Sequence, residues 1–134
     1  MTTTPDIITA YLAAFNRGDW AGMLALLADD VVHDINQGGA EHGKPAFAAF
    51  LERMARCYRE ELRYIVIMAS PDGTHAAAEF QVHGAYLAED TGLPPARGQR
   101  YALPAGAFFC LKDGRISRVT MYYNLQEWLR QVGG

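Results

Sequence analysis

The sequence predicts an α+β domain in which helices pack on a strongly curved, mixed or mainly antiparallel sheet and leave a largely apolar, ligand-sized pocket. Three observations carry this. Helical periodicity is confined to the first 58 residues and the last ten, strand-like runs fill the stretch between, and Pro71-Asp72-Gly73 and Lys112-Asp113-Gly114 join consecutive strands by short turns. Short connections favour an antiparallel meander over crossover units. The helical segments must then bury their apolar stripes against one face of that sheet.

Pro5 to Arg17 places Ile8, Tyr11, Leu12 and Phe15 on one helix face, with Thr4 as the expected N-cap and Pro5 in the first turn. Asp19 caps a second short helix whose inward stripe is Trp20, Met23, Leu24 and Leu27. Val31 to Ile35 is a short strand stopped by Asn36-Gln37-Gly38-Gly39. Pro45 opens a third helix carrying Phe47, Phe50, Leu51, Met54 and Tyr58. Leu62–Ala69, His75–Ala88, Gln99–Leu111 and Arg115–Asn124 read as four strands, and Leu125–Val132 as a closing helix. Gly84 and Gly106 interrupt strand patterns, where glycine marks a bend, a bulge or a close approach that would help the sheet curl.

A length of 134 residues fits one domain spanning 1–134. The net charge of −3 and the scattered basic residues argue against nucleic-acid binding. No apolar run is long enough for a membrane-spanning helix. Met1 to Asp6 lacks the basic-then-apolar pattern of a secretory leader, so a cytoplasmic location is expected, with Cys57 and Cys110 reduced.

The most polar constellation is His33, Asp34, Asn36 and His42 around the first strand and its turn. A carboxylate beside an apolar cavity is a candidate base because poor solvation raises its proton affinity, and a histidine can act as base or donor. Strand alternation sends His33 and Asp34 to opposite faces, so a regular strand lets only one of them enter the pocket. Both stay open as candidates. Their spacing with His42 matches no compact ligand set, so no metal is expected, and the absence of a nucleotide-binding loop or nucleophile elbow leaves no cofactor expected.

Later strands offer Phe80 and Val82 on one face, and Val119, Met121 and Tyr123 on another, as lining for a cavity or filling for a solid core. The 89–98 loop is either an exposed connector or a cavity mouth in which Arg97 or Arg100 receives an acidic substrate group.

Tyr11-Leu-Ala-Ala-Phe-Asn-Arg-Gly-Asp19, followed by Met23-Leu-Ala-Leu-Leu-Ala-Asp-Asp30 and a short strand, resembles the opening of the nuclear transport factor 2-like (NTF2-like) superfamily. Gly43, the Asp113-Gly114 turn and the Arg118 to Asn124 strand extend the resemblance to its ketosteroid isomerase and SnoaL-like branch. It implies a helix-covered cone and a homodimer through the sheet face that carries Glu79, Gln81 and His83. It also implies a site drawing on Tyr11, Trp20, Phe80, Val82, Gly106, Phe108, Val119, Met121 and Tyr123.

The steroid isomerases use an Asp base with a Tyr and a protonated Asp as oxyanion donors. By resemblance the tyrosine falls on Tyr11, but the base position falls on Ile35, one residue after Asp34, and the second donor on Gly106 after Pro104. Steroid isomerisation itself is therefore not expected. Two readings remain. One is a cofactor-independent isomerase, cyclase, dehydratase or hydratase for a small apolar carbonyl or hydroxyl compound, with Asp34 or His33 moving a proton and Tyr11 or Tyr123 stabilising oxygen charge. The other is a noncatalytic small-molecule binding or dimerisation domain.

Overall fold

Thr3, not Thr4, caps the first helix, α1 (Thr4–Asn16), because Asp6 stands three residues on. The Thr3 hydroxyl accepts from the Asp6 amide at 3.2 Å, and the Asp6 carboxylate accepts from the Thr3 amide at 3.0 Å, closing a capping box. Thr4 is left free to donate its hydroxyl to the Gly73 carbonyl, tying α1 to a distant turn. This computed structural model describes residues 2–133; Met1 and Gly134, the ends of the expected domain, lie outside the described residues.

Helix α2 (Trp20–Ala25) is shorter than its apolar spacing suggested, and Leu27 belongs to strand β1 (Leu27–Asp34). After a tight turn, Ala40–His42 forms a three-residue strand, β2, that the glycine-rich sequence concealed. Helix α3 (Lys44–Cys57) ends one residue before β3 (Tyr58–Ala69), so Tyr58 is the first residue of a strand instead of the last of a helix. Strands β4 (His75–Tyr86), β5 (Gln99–Lys112) and β6 (Arg115–Tyr123) and helix α4 (Leu125–Gly133) complete the chain.

The six strands form one sheet in the order β2-β1-β6-β5-β4-β3. Among the described residues only β1 against β6 is a parallel pair, so the sheet is mixed but mainly antiparallel. Its register breaks occur in β1 between Leu27 and Val32, in β3 between Arg63 and Val66, where Tyr64 takes φ 59°, and in β6 at Ser117, opposite Cys110 and Leu111. The register shifts fall at these positions, while Gly84 and Gly106 sit in unbroken β4–β5 register. The core is built from Ile8, Leu27, Val31, Phe47, Phe109, Ile116 and Val132, all essentially buried between helices and the inner sheet face.

The free edge of β3 is closed by Asn16 at the end of α1. Its amide donates to the Leu62 carbonyl at 3.0 Å, and its oxygen accepts from the Leu62 amide at 2.8 Å, imitating a neighbouring strand. Asn16→Ala orphans two half-buried backbone groups, and urea unfolding is expected to show a loss of about 1–3 kcal/mol.

Candidate acid/base cavity

A cavity of about 420 Å³ opens between the inner sheet face, α3, α4 and the loop between β4 and β5. Val82, Leu103, Met121, Phe50, Leu125 and Trp128 supply its apolar wall. This size and lining suit a small, largely apolar molecule.

Its polar groups come mainly from β3. Tyr58, Glu60 and Leu62 share the inward side of that strand, so strand alternation carries a carboxylate into the cavity wall. Burial raises the Glu60 pKa above the ordinary glutamate value, opposed in part by the Tyr101 hydroxyl, which donates to Oε2. Tyr101, Tyr58 and Tyr123 all border the cavity, and each is pushed up in pKa, chiefly by desolvation. They therefore remain neutral hydrogen-bond donors at ordinary pH. Tyr58 donates to Asp90 at 2.8 Å. Asp90 also faces Arg53 at 3.5 Å, and the Arg53 guanidinium lies 5.8 Å from the centre of the Phe50 ring.

His33 also faces inward, 4.3 Å from the Phe50 ring and 5.0 Å from the Phe47 ring. Its pKa is lowered, first by desolvation, against the raising influence of Glu41 and Asp34. Its Nδ1 stands 3.6 Å from Glu41 Oε1, too long for a hydrogen bond, and both atoms are buried without a partner among the described residues.

The structure brings together some of the sequence candidates and separates others. His33, Tyr123, Val82 and Met121 line the cavity. Asp34 borders it, but strand alternation turns its carboxylate to the outer face, 3.4 Å from Arg118, so it is not placed as the cavity's base. Tyr11 is packed in the core edge-to-face against Phe109 at 5.6 Å, off the cavity wall, and burial drives its pKa up. Phe80 and Val119 point inward but belong to the packed core. Gly106 and Phe108 fall on the outer sheet face, because β5 turns Tyr101, Leu103, Ala107 and Phe109 inward; Phe108 is 46% exposed. Trp20 lines a separate groove of about 260 Å³ with Phe15, and this groove meets the main cavity at Met54, Tyr58 and Glu60.

The 89–98 loop is part of the cavity wall through Asp90, Thr91 and Leu93, whereas Arg97 is exposed and Arg100 borders a separate cleft that reaches Glu60, Gly84 and Tyr101. The arginine at the cavity is Arg53. Sequence reading missed Glu60, Tyr58 and Tyr101. The available signal was phase: extending β3 back from Leu62 puts Glu60 and Tyr58 on the same inward side. Both cysteines are unpaired, and among the described residues no group of three or more His, Cys, Asp or Glu side chains is placed to hold a metal ion. No helix among them is long and apolar enough to cross a membrane.

Comparison with solved structures places this geometry among relatives. A candidate polyketide cyclase from Pseudomonas putida KT2440 is 59% identical, with 98% of this chain and 99% of that chain covered and a TM-score of 0.97. Another from Xanthomonas campestris pv. campestris is 58% identical over 96% and 95% of the two chains, TM-score 0.92. A third, from Silicibacter sp. TM1040, is 54% identical over 100% and 98%, TM-score 0.96. An NTF2-like protein from Burkholderia xenovorans LB400, 17% identical over 96% and 95% with TM-score 0.74, shares the fold. No curated protein matches the chain. The SnoaL-like domain family matches residues 8–119, and with that match across most of its length the chain belongs to the SnoaL-like domain family.

Proposed function

We propose that the protein is a cofactor-independent acid/base enzyme of the cyclase or isomerase type, acting on a small, largely apolar carbonyl compound, with Glu60 as the group that moves the proton. The observation that carries this reading is a half-buried carboxyl group of raised pKa in an apolar cavity, surrounded by neutral tyrosine hydroxyls. A carboxylate whose proton affinity is raised toward working pH is a better base than an exposed one. In this mechanism ionised Glu60 takes a proton from the carbon next to the substrate carbonyl. The C–H electron pair moves into the enolate, and a donor on the cavity wall, Tyr123 or His33, hydrogen-bonds to its oxygen. Return of the proton to a different carbon gives isomerisation. Attack of the enolate carbon on a second carbonyl of the same molecule, with protonation of the new alkoxide, gives cyclisation. The candidate cyclases at 54–59% identity support the same class.

Exchange of α-deuterium from aryl-fused cyclic ketones, followed by NMR, tests the reading. Wild-type protein should accelerate exchange over buffer and over the Glu60→Gln variant. Saturable binding without any acceleration would favour the noncatalytic binding module instead.

A homodimer through the outer sheet face belongs to the same proposal. Two adjacent rows there, Met68-Ala77-Phe108-Thr120 and Val66-Glu79-Gly106-Tyr122, put Met68 and Val66 on β3 and the touching rings of Phe108 and Tyr122 on β5 and β6 at 45–52% exposure on one face. An apolar patch of this kind favours a protein partner. Sedimentation is expected to give a dimer for the wild type and a monomer for Phe108→Glu; a wild-type monomer at high micromolar concentration would remove this part of the proposal.

A further inference from the structure

Glu60, Gly84 and Tyr101 stand directly opposite one another on β3, β4 and β5. Neighbouring strands lie roughly 4.8 Å apart, so a β5 side chain must cross the middle strand to touch a partner from β3. Tyr101 does so: a Cβ built on Gly84 would lie 2.6 Å from its Cζ, 2.7 Å from its hydroxyl oxygen and 2.8 Å from Cε2. The far end of the ring occupies the place a side chain would take. Gly84 pairs on both sides and is not among the glycines with positive φ, so its backbone does not call for glycine. A mid-strand glycine weakens a sheet, and here that weakness coincides with the passage of one aromatic ring.

We propose that Gly84 is a positioning residue for the acid/base group: its missing side chain lets Tyr101 lie across β4 and hold Glu60 Oε2, leaving Oε1 as the oxygen that exchanges a proton with substrate. This rests on the reading of Glu60 as the proton-moving group and adds what aims it. Trp128 packs on the other side of the device, edge-to-face with Tyr101 at 5.7 Å. The other ionisable groups around Glu60 are Tyr58 on its own strand, Tyr123 from β6 and Asp90 from the loop. His33 from β1 and Arg53 from α3 border the same cavity, while Arg59, Glu61, Arg63, His83 and Arg100 line a second cleft that Glu60, Gly84 and Tyr101 also border.

The test needs no substrate. Carboxyl-carbon NMR on glutamate-labelled protein reads the Glu60 titration directly. A hydrogen bond to a carboxylate favours its charged form, so Tyr101→Phe is expected to shift the titration upward. Gly84→Ala should shift it in the same direction, and the double variant no further than the larger single change. A Gly84→Ala titration that overlays the wild type would overturn the positioning role, as would an unshifted Tyr101→Phe. Melting temperatures supply a second arm should Gly84→Ala fold poorly. Gly84→Ala is expected to lower the melting temperature beside Tyr101 and to cost little in a Tyr101→Ala background; an equal drop in both backgrounds would show that the glycine serves the backbone alone. In the exchange assay both single variants should lose on the order of tenfold, the worth of one charge-assisted hydrogen bond. Shifted titrations without exchange activity in the wild type would leave the device standing and remove the catalytic reading.

Discussion

Glu60→Gln is expected to lower catalysed α-deuterium exchange on the order of 10²- to 10⁴-fold, because it removes the proton acceptor and keeps the shape. The glutamine oxygen can still accept from Tyr101, so the cavity wall should survive. The same change is expected to stabilise the protein at neutral pH. The folded-state pKa of Glu60 lies above its unfolded value, so native protein holds this proton more tightly than the unfolded chain. Its contribution is therefore fully present below the ordinary glutamate range and is lost as pH rises through that range to the raised value. Thermal melts of variant and wild type should coincide near pH 4 and separate toward pH 8, with the variant melting higher. A variant that keeps full exchange activity would transfer the role to another group.

The second large effect belongs to His33. Its pKa is depressed, chiefly by desolvation, so the unfolded chain binds a proton that the native state resists. Stability from this residue is full above about pH 6.5, the unperturbed histidine value, and falls as pH drops below it toward the lowered folded-state pKa. Each unit of depression corresponds to about 1.4 kcal/mol. His33→Phe removes the titration and joins the ring to Phe47 and Phe50, which already surround it. Urea unfolding between pH 7.5 and pH 5 is expected to show a falling midpoint for the wild type and a flatter one for the variant; parallel profiles would mean that His33 is not a buried neutral imidazole.

The two neighbours His33 and Asp34 show what alternation can establish from sequence. The parity rule assigned them to opposite faces, and the structure turns His33 inward among phenylalanines and Asp34 outward to Arg118. The same rule could not say which of the two faces was the inner one, because Val31, Val32 and Ile35 are apolar on both. Glu60 was hidden for a different reason. Tyr58-Arg-Glu-Glu61 follows a helix with a helix-compatible, charged composition, and only the β3–β4 register extends the strand back over it. Phe108 misled by its size: an aromatic at strand spacing reads as lining, yet the inward positions on either side of it belong to the small Ala107 and to Phe109, and Phe108 faces out. Gly84 was legible as a close-approach site, but the ring that approaches it comes from β5 and could not be named without the register.

Glutamate-labelled carboxyl NMR during titration with 2-naphthol, a planar enol mimic, tests most directly whether a small molecule reaches the proton-moving group. Glu60 in its cavity should respond saturably, with the resonance unmoved in a Leu103→Trp variant that fills the space. A Glu60 signal that stays fixed up to the solubility limit of the phenol would contradict an accessible acid/base site.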